Sequence, residues 1–311
     1  MIDYLTKLIH AGKRHKIRSL PHLGIWLWLL LCIPCLLASC GNDDDEKEKG
    51  LSVSLSWANE ADKGTEVKDV KLWIFNADKD SLVEEKHYGS AEEMASQRFQ
   101  LPEGTYRILT TTNLSEPFFI KEQTRALSSW NNILIGLTNP KDVKNNAYFG
   151  VTDVKIDNKE GNYVVQNPVK SVLAELTIII ENVPKGTEMS GKALDAAGCL
   201  FPTQKNSDGD YGLPGIEPTE VEVPTILSTG STLQSEVIRL MPTILGSQAS
   251  HIYLRLLLPD ATLLEYDITA PVMKAGGKYE LRFKLEEMQP KIYLESDINN
   301  WKDLNKEVEI K

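Results

Sequence analysis

The chain has 311 residues, with 34 Lys and Arg against 44 Asp and Glu and a formal net charge of −10. An acidic balance of this size argues against nucleic acid or an anionic membrane surface as a partner. The length allows two ordinary hydrophobic cores.

The N-terminal element reads as an address. Lys7, Lys13, Arg14, Lys16 and Arg18 precede an apolar stretch from Leu23 to Leu37, broken only by Gly24 and Pro34. That stretch is short for a helix crossing a hydrocarbon core of ~30 Å. A basic flank, a short apolar core and small residues at its end instead match a secretory signal. It closes on Leu37-Ala38-Ser39-Cys40, a lipobox, so cleavage is expected between Ser39 and Cys40, with lipid added to Cys40. The competing reading, an uncleaved anchor with Cys40 grouped with Cys32 and Cys35, makes Ala38-Ser39 an accident. Each buried methylene contributes ~0.8 kcal/mol, so a multiply acylated cysteine is a stable membrane anchor.

The acidic run Gly41-Asn42-Asp43-Asp44-Asp45-Glu46 follows. On charge alone it is a solvated spacer. It is also similar to the surface-export signal of Bacteroidetes lipoproteins, which gives Asp43, Asp44 and Asp45 a role in reaching the outer face of the outer membrane. Without the leader's five bases and one acid, the remaining 272 residues carry a charge near −14. Besides Cys40 they hold only Cys199, so no side-chain disulfide is available and core packing must hold the fold. Cys199, between Gly198 and Leu200, is expected to be a small buried apolar residue.

From residue 51 the pattern is mainly β. Leu51, Val53, Leu55 and Trp57 alternate with serines, predicting a half-buried strand. Val70, Leu72 and Ile74, with Trp73 and Phe75 on the other face, predict a second strand ending at Asn76-Ala77-Asp78. The turn Leu101-Pro102-Glu103-Gly104 leads into a third strand through Tyr106, Ile108 and Thr110. From Ser115 to about Lys144 the pattern weakens, with a short helix expected near 126–132. Asn167-Pro168 reads as a boundary. Branched apolar residues then run from Val172 to Ile180, and a glycine- and proline-rich stretch over 185–235 reads as a loop-rich insertion. Strands follow at Val237–Leu240, Ile252–Leu258, Leu263–Ile268 and Tyr279–Leu285, and a last extended segment holds Ile292-Tyr293-Leu294, Trp301 and Val308-Glu309-Ile310. Many short strands with turn signals between them predict two β-sandwich-like domains.

Little here points to chemistry. His10, His15 and His22 leave with the signal, and His87 and His251 lack metal-ligand spacing. No nucleophile elbow, His-Glu-x-x-His or phosphate loop occurs in the mature chain. Asp208-Gly209-Asp210 lacks the rest of a calcium loop and reads as a turn. Glu84-Glu85 and Glu92-Glu93, taken as strand residues, diverge and read as solvated acids. No catalytic residue, metal or cofactor is assigned, and no enzyme is expected.

The segment Val67-Lys68-Asp69-Val70-Lys71-Leu72-Trp73-Ile74-Phe75, with the lipobox and Leu101-Pro102-Glu103-Gly104-Thr105-Tyr106-Arg107, resembles the N-terminal domain of Bacteroidetes fimbrillin-type subunits of type V pili. Pro168–Leu176 resembles the opening of their second domain, and Gly277-Lys278-Tyr279-Glu280-Leu281 with Trp301 its end. An arginine associated with that opening is missing, and Lys170 is the nearest base. The resemblance implies two tandem transthyretin-like β-sandwich domains after a lipoprotein signal peptide: 1–39 signal, 40–50 lipidated tether, 51–167 and 168–311. It implies a non-enzymatic anchor or accessory subunit, lipid-held at the outer membrane. Its partners would be other fimbrial subunits, joined by β-strand exchange, and host or bacterial surface ligands. Leu51–Trp57 and the C-terminal tail are the candidate exchange segments. Polymerising subunits of the family are cut after an arginine near the mature N-terminus. Here the first arginine after Cys40 is Arg98, and a cut there would remove Leu51–Trp57 and Val70–Phe75. Asp80-Ser81-Leu82 is similar to a Bacteroidetes O-glycosylation acceptor, with Ser81 as the site. The alternative function is a glycan-binding surface lipoprotein of a nutrient-uptake system, using exposed aromatics among Trp57, Trp73, Trp130 and Trp301.

Overall fold

The computed structural model describes residues 49–122, 129–140 and 143–290. The lipobox, Asp43–Asp45, Trp301 and the C-terminal tail lie outside the described residues.

The fold is mainly β. In chain order the first strands are β1 (Gly50–Trp57), β2 (Val70–Asn76), β3 (Ser81–Tyr88) and β4 (Gly104–Thr112). Next come β5 (Phe118–Glu122), β6 (Ile133–Leu137), β7 (Tyr148–Ile156) and β8 (Asn162–Ser171). A short helix, α1 (Ala91–Ala95), lies between β3 and β4. Ser90 caps it by accepting from Glu93 N at 3.2 Å, so Glu92 and Glu93 sit on a helical turn and not on a strand. Six strands form one sheet in the order β1-β8-β7-β4-β2-β3. All neighbours are antiparallel except β1 and β8, where Gly50 faces Asn162 and Trp57 faces Val169 in parallel register.

Around β2 and β4 both faces of this sheet are covered. Val70, Leu72 and Ile74 pack with Leu51, Val53, Met94, Phe99 and Ile108 on one face. Trp73 and Phe75 pack with Leu109, Trp130 and Ile133 on the other. This explains why β2 is apolar at consecutive positions and does not alternate. In β1 the serines are not a uniformly open face. Ser52 is buried, and its hydroxyl donates to Ala95 O at the end of α1. Two strands, β5 and β6, lie where the pattern weakened; of the helix expected near 126–132, residues 126–128 lie outside the described residues, and the rest holds a 3₁₀ turn over Trp130–Asn132.

The second set is β9 (Ala174–Glu181), β10 (Glu188–Ala197), β11 (Cys199–Lys205), β12 (Tyr211–Pro214) and β13 (Pro218–Leu227). It continues with β14 (Thr232–Gln234), β15 (Ile238–Leu240), β16 (Ser250–Leu257), β17 (Leu263–Ala270) and β18 (Lys278–Lys284). The sheet β13-β10-β16-β17 packs against β9 and its neighbours through Leu176, Ile178, Ile180, Leu254 and Leu256, all fully buried. Strand β9 holds the short antiparallel β14 and β15, and β18 in parallel.

The stretch 185–235 is not a loop-rich insertion. β10 and β11 are separated only by Gly198, β12 and β13 by a short break at Gly215, and the two arms pair antiparallel along their length. Gly198 N donates to Glu217 O and Gly215 N to Cys199 O, so the ladder continues through the breaks. The result is one long β-ribbon. Its base belongs to the β13-β10-β16-β17 sheet, and its outer half joins β6 and β5 in the order β12-β11-β6-β5. Some of the glycines that suggested a loop have packing reasons. At Gly191 a Cβ would stand 2.2 Å from Tyr253 O of the neighbouring strand.

Asn167-Pro168, read as a boundary, lies inside β8. Asn167 is fully buried, and its Nδ2 donates to Thr110 Oγ1 at 2.9 Å and Gly150 O at 3.2 Å. A polar residue inside a strand, its Nδ2 bonded across the sheet while its Oδ1 has no partner, looks in sequence like a turn residue.

Candidate assembly site

The site is built from two sheet margins that meet. β1 is the outermost strand of the six-stranded sheet. Gly50 N donates to Gly161 O and Ala58 N to Val169 O, so even-numbered positions face β8. Odd-numbered positions face away. There Leu51 exchanges two 2.9 Å backbone hydrogen bonds with Phe99, and past Leu51 no described strand pairs with this side. Among the described residues β18 likewise pairs only with β9. Each margin therefore has main-chain donors and acceptors of the kind that accept an added strand.

The end of β1 and the start of β18 lie together. Asn59 Nδ2 donates to Gly276 O at 3.0 Å, and Lys278 Nζ lies 3.3 Å from Asp62 Oδ1 and 3.6 Å from Glu175 Oε2. Burial pulls the Lys278 ammonium down, but Asp62 and Glu175 outweigh it, so it titrates above an ordinary lysine. Gly276 has φ +74, and a Cβ there would press on Asn59 and Lys170. An open groove of about 470 Å³ runs between Ala58–Ala61 and Gly276–Lys278.

The ribbon tip sits beside this junction. Thr203 Oγ1 donates to Trp130 O at 2.6 Å, and Tyr211 meets the Trp130 ring edge-on at 6.3 Å. A cavity of about 190 Å³ between the tip and the Pro242–Ser247 and Val272–Ala275 loops is lined in part by Lys170 and Asp210. Lys170 lies over the Phe149 ring, 5.4 Å from its centre, and burial holds its ammonium below the usual lysine range, partly offset by Asp210. Lys170 thus faces this junction cavity, where sequence had marked only the absence of an arginine.

Other sequence candidates fall into structural roles. Asn206 Oδ1 accepts from Asp208 N and Asp210 N, so Asp208-Gly209-Asp210 forms the ribbon's turn. His87 pairs with Asp69 at 2.5 Å and His251 with Asp195 at 2.6 Å, both largely exposed. Among the described residues no three His, Cys, Asp or Glu side chains cluster as a metal set. Cys199, expected to be a small buried residue, is half-buried, and burial pushes its thiol up. Trp73 and Trp130 are 1% and 2% exposed and offer no glycan platform. Trp57, placed in the core by alternation, is half-buried, with its ring edge-on to Tyr148 at 5.0 Å. Ser81 begins the margin strand β3, next to Asp80, whose Oδ2 accepts from Ser129. Arg98 follows α1, so β1, β2 and β3 all precede it.

The sequence model of a family described as fimbrillin-A associated anchor proteins Mfa1 and Mfa2 matches residues 42–304. The chain belongs to this family. Solved structures share the fold. The fimbrial anchor protein Mfa2 from Porphyromonas gingivalis is 13% identical with a TM-score of 0.50, over 70% of this chain and 81% of that one. A proposed adhesin from Bacteroides thetaiotaomicron is 12% identical with a TM-score of 0.51, over 78% and 94%. A proposed cell adhesion protein from Bacteroides eggerthii is 12% identical with a TM-score of 0.51, over 76% and 86%. Among curated proteins no match is found.

Proposed function

We propose that this fimbrial anchor-family chain is a lipid-held subunit that joins its neighbours by strand addition. Cys40 is the lipid attachment point at the outer membrane, Ser39–Cys40 the cleavage site, and Asp43, Asp44 and Asp45 direct the protein to the cell surface. Ser81 is a candidate O-glycan acceptor. The halves 51–167 and 168–311 act as two assembly domains, the second lending its ribbon tip to the first. The observation that carries this reading is the pair of sheet margins, β1 and β18, each with a side that pairs with no further strand among the described residues, converging on one groove in a chain of the anchor family. Main-chain hydrogen bonds at such a margin supply affinity, and pockets for alternate side chains supply selectivity.

This chain keeps its first strand. A cut after Arg98 would remove β1, β2, β3 and α1, including fully buried Leu51, Val53, Leu72 and Ile74. Losing buried side chains at ~2–5 kcal/mol each exceeds the stability of an ordinary domain. Intact-mass analysis of protein released from surface fractions tests the reading. The expected species begins at an acylated Cys40 and co-purifies with fimbriae, and Cys40→Ala abolishes fatty-acid labelling. A dominant species starting near Phe99, without lipid and distributed along fibre shafts, would refute it.

A further inference from the structure

The outer face of the β13-β10-β16-β17 sheet changes character at one end. In its inner rows charges are paired within the sheet. Lys192 lies 2.8 Å from Glu220, and Arg255 lies 3.4 Å from Glu265. The terminal row is different. Leu227, Glu188, Leu257 and Leu263 are in direct register across all four strands, which puts their side chains on the same face. The three leucines are 61%, 40% and 46% exposed. Glu188, between Leu227 and Leu257, has no ion-pair partner among the described residues.

The position of this row matters. β1 begins at Gly50 beside Asn162 and ends at Trp57 beside Val169, next to the residues that touch Gly276 and Lys278. The chain from the proposed lipid therefore enters at the end of the first sheet remote from β9. β9 starts near that junction and ends at Glu181, and the following turn delivers Glu188 to the leucine row. The row thus lies at the end of the described chain opposite the tether's entry. That argues against the bilayer as its cover.

We propose that this leucine row docks the next fimbrial subunit, through an apolar segment of that subunit carrying a lysine or arginine opposite Glu188. The assignment rests on the anchor reading and names the surface and the partner's chemistry. Charge complementarity favours it. An unpaired carboxylate amid exposed leucines is poorly served by a purely apolar cover and well served by one base. A second copy of this chain fits less well, because it would set Glu188 against leucines or another Glu188, and three leucines fall far short of the ~800 Å² that each partner of a stable dimer buries. A small apolar centre suits an end-on contact reinforced by strand addition elsewhere.

The test uses the full chain on cells, with a photo-crosslinking residue at Leu257 and a control at Thr269, on the neighbouring strand β17, at the same sheet face but the opposite end. The Leu257 position should crosslink to a fimbrial subunit through a peptide containing apolar residues and a Lys or Arg, while Thr269 should not. Leu227→Ser, Leu257→Ser and Leu263→Ser together should lower the fimbriae retained by the cells by about tenfold or more, with unchanged protease resistance. Glu188→Lys alone should weaken retention too, and a Lys/Arg→Glu change in the crosslinked peptide should restore it. Equal crosslinking at the two positions, crosslinks between copies of this chain, or wild-type retention by the triple-serine variant would overturn the surface and leave the anchor reading intact. A wild-type chain that retains no fimbriae at all would overturn both.

Discussion

Strands β1 and β18 occupy equivalent positions, each running parallel to one neighbour at the margin of a sheet, but they are held in place differently. Leu51 and Val53 of β1 are fully buried beneath Met94 and Phe99, and Leu51 is bonded on its outer side to Phe99. On β18 exposed and half-buried residues alternate throughout. Tyr279, Leu281 and Phe283 rest against the second core without being enclosed by it. β18 is held chiefly by its backbone ladder to β9 and by ion pairs such as Arg282 with Glu181 at 2.6 Å. Exposed ion pairs of this kind contribute little. A strand seated by buried side chains is part of the core, whereas one held chiefly by its ladder is less firmly seated. β1 is the first kind and β18 the second.

The largest expected effect breaks or supports this contrast directly. Leu51→Ala should cost about 3 kcal/mol, and with Val53→Ala the pair should unfold the first sheet at ambient temperature. Leu281→Ala on β18 removes half-buried surface and should cost about 1 kcal/mol. Urea unfolding of the variants decides it. A Leu281→Ala cost matching that of Leu51→Ala would show that β18 is seated as firmly as β1.

Where the two margins meet, the comparison can be sharpened. Gly276 has φ +74, and an added Cβ would stand 3.2 Å from Asn59 Nδ2. Gly276→Ala should therefore cost about 1–2 kcal/mol, through left-handed strain and the displaced Asn59 contact. Gly230, with nothing within 4 Å, is the control site. If both alanines cost the same few tenths, the junction is looser than its hydrogen bonds imply.

Much of this arrangement was legible in the sequence. The alternation of Leu51, Val53 and Leu55 and the apolar run Val70–Phe75 mark β1 and β2, and the alternation from Tyr279 to Phe283 marks β18. Alternation cannot show that β1 pairs in parallel with β8, because side-chain period is the same for either partner. The ribbon was hidden for a different reason. Its glycines and prolines lie at breaks and close approaches, where they read as loop, although Glu220-Val221-Glu222-Val223 carries a period of two that could have betrayed β13. Asn167-Pro168 carries the letters of a turn although its asparagine lies inside β8, with Nδ2 bonded across the sheet. Of the candidate site, the two margin strands were visible. Their meeting at Asn59, Asp62, Gly276 and Lys278 was not, since it joins residues more than 200 positions apart.

The smallest effect concerns the ion pair that ties the two margins. Asp62 is 7% exposed at its side chain, and its Oδ2 has no hydrogen-bond partner, so Lys278 is its main compensation. Lys278 itself is 45% exposed, and solvent screening limits the pair to about 1 kcal/mol. Lys278→Met should lower the melting temperature by about 2–4 °C at neutral pH, while Lys278→Arg should largely keep it. The pH dependence has a definite sign. The folded-state lysine titrates above its unfolded value, so its contribution is fully present below an ordinary lysine pKa of about 10.4 and is lost as pH rises through the folded value. The gap between wild type and Lys278→Met should therefore be flat from pH 7 to 9 and close above about pH 10.5. A gap that persists undiminished there would mean that the methylenes of Lys278 packing over the groove, and not its charge, join β18 to the end of β1.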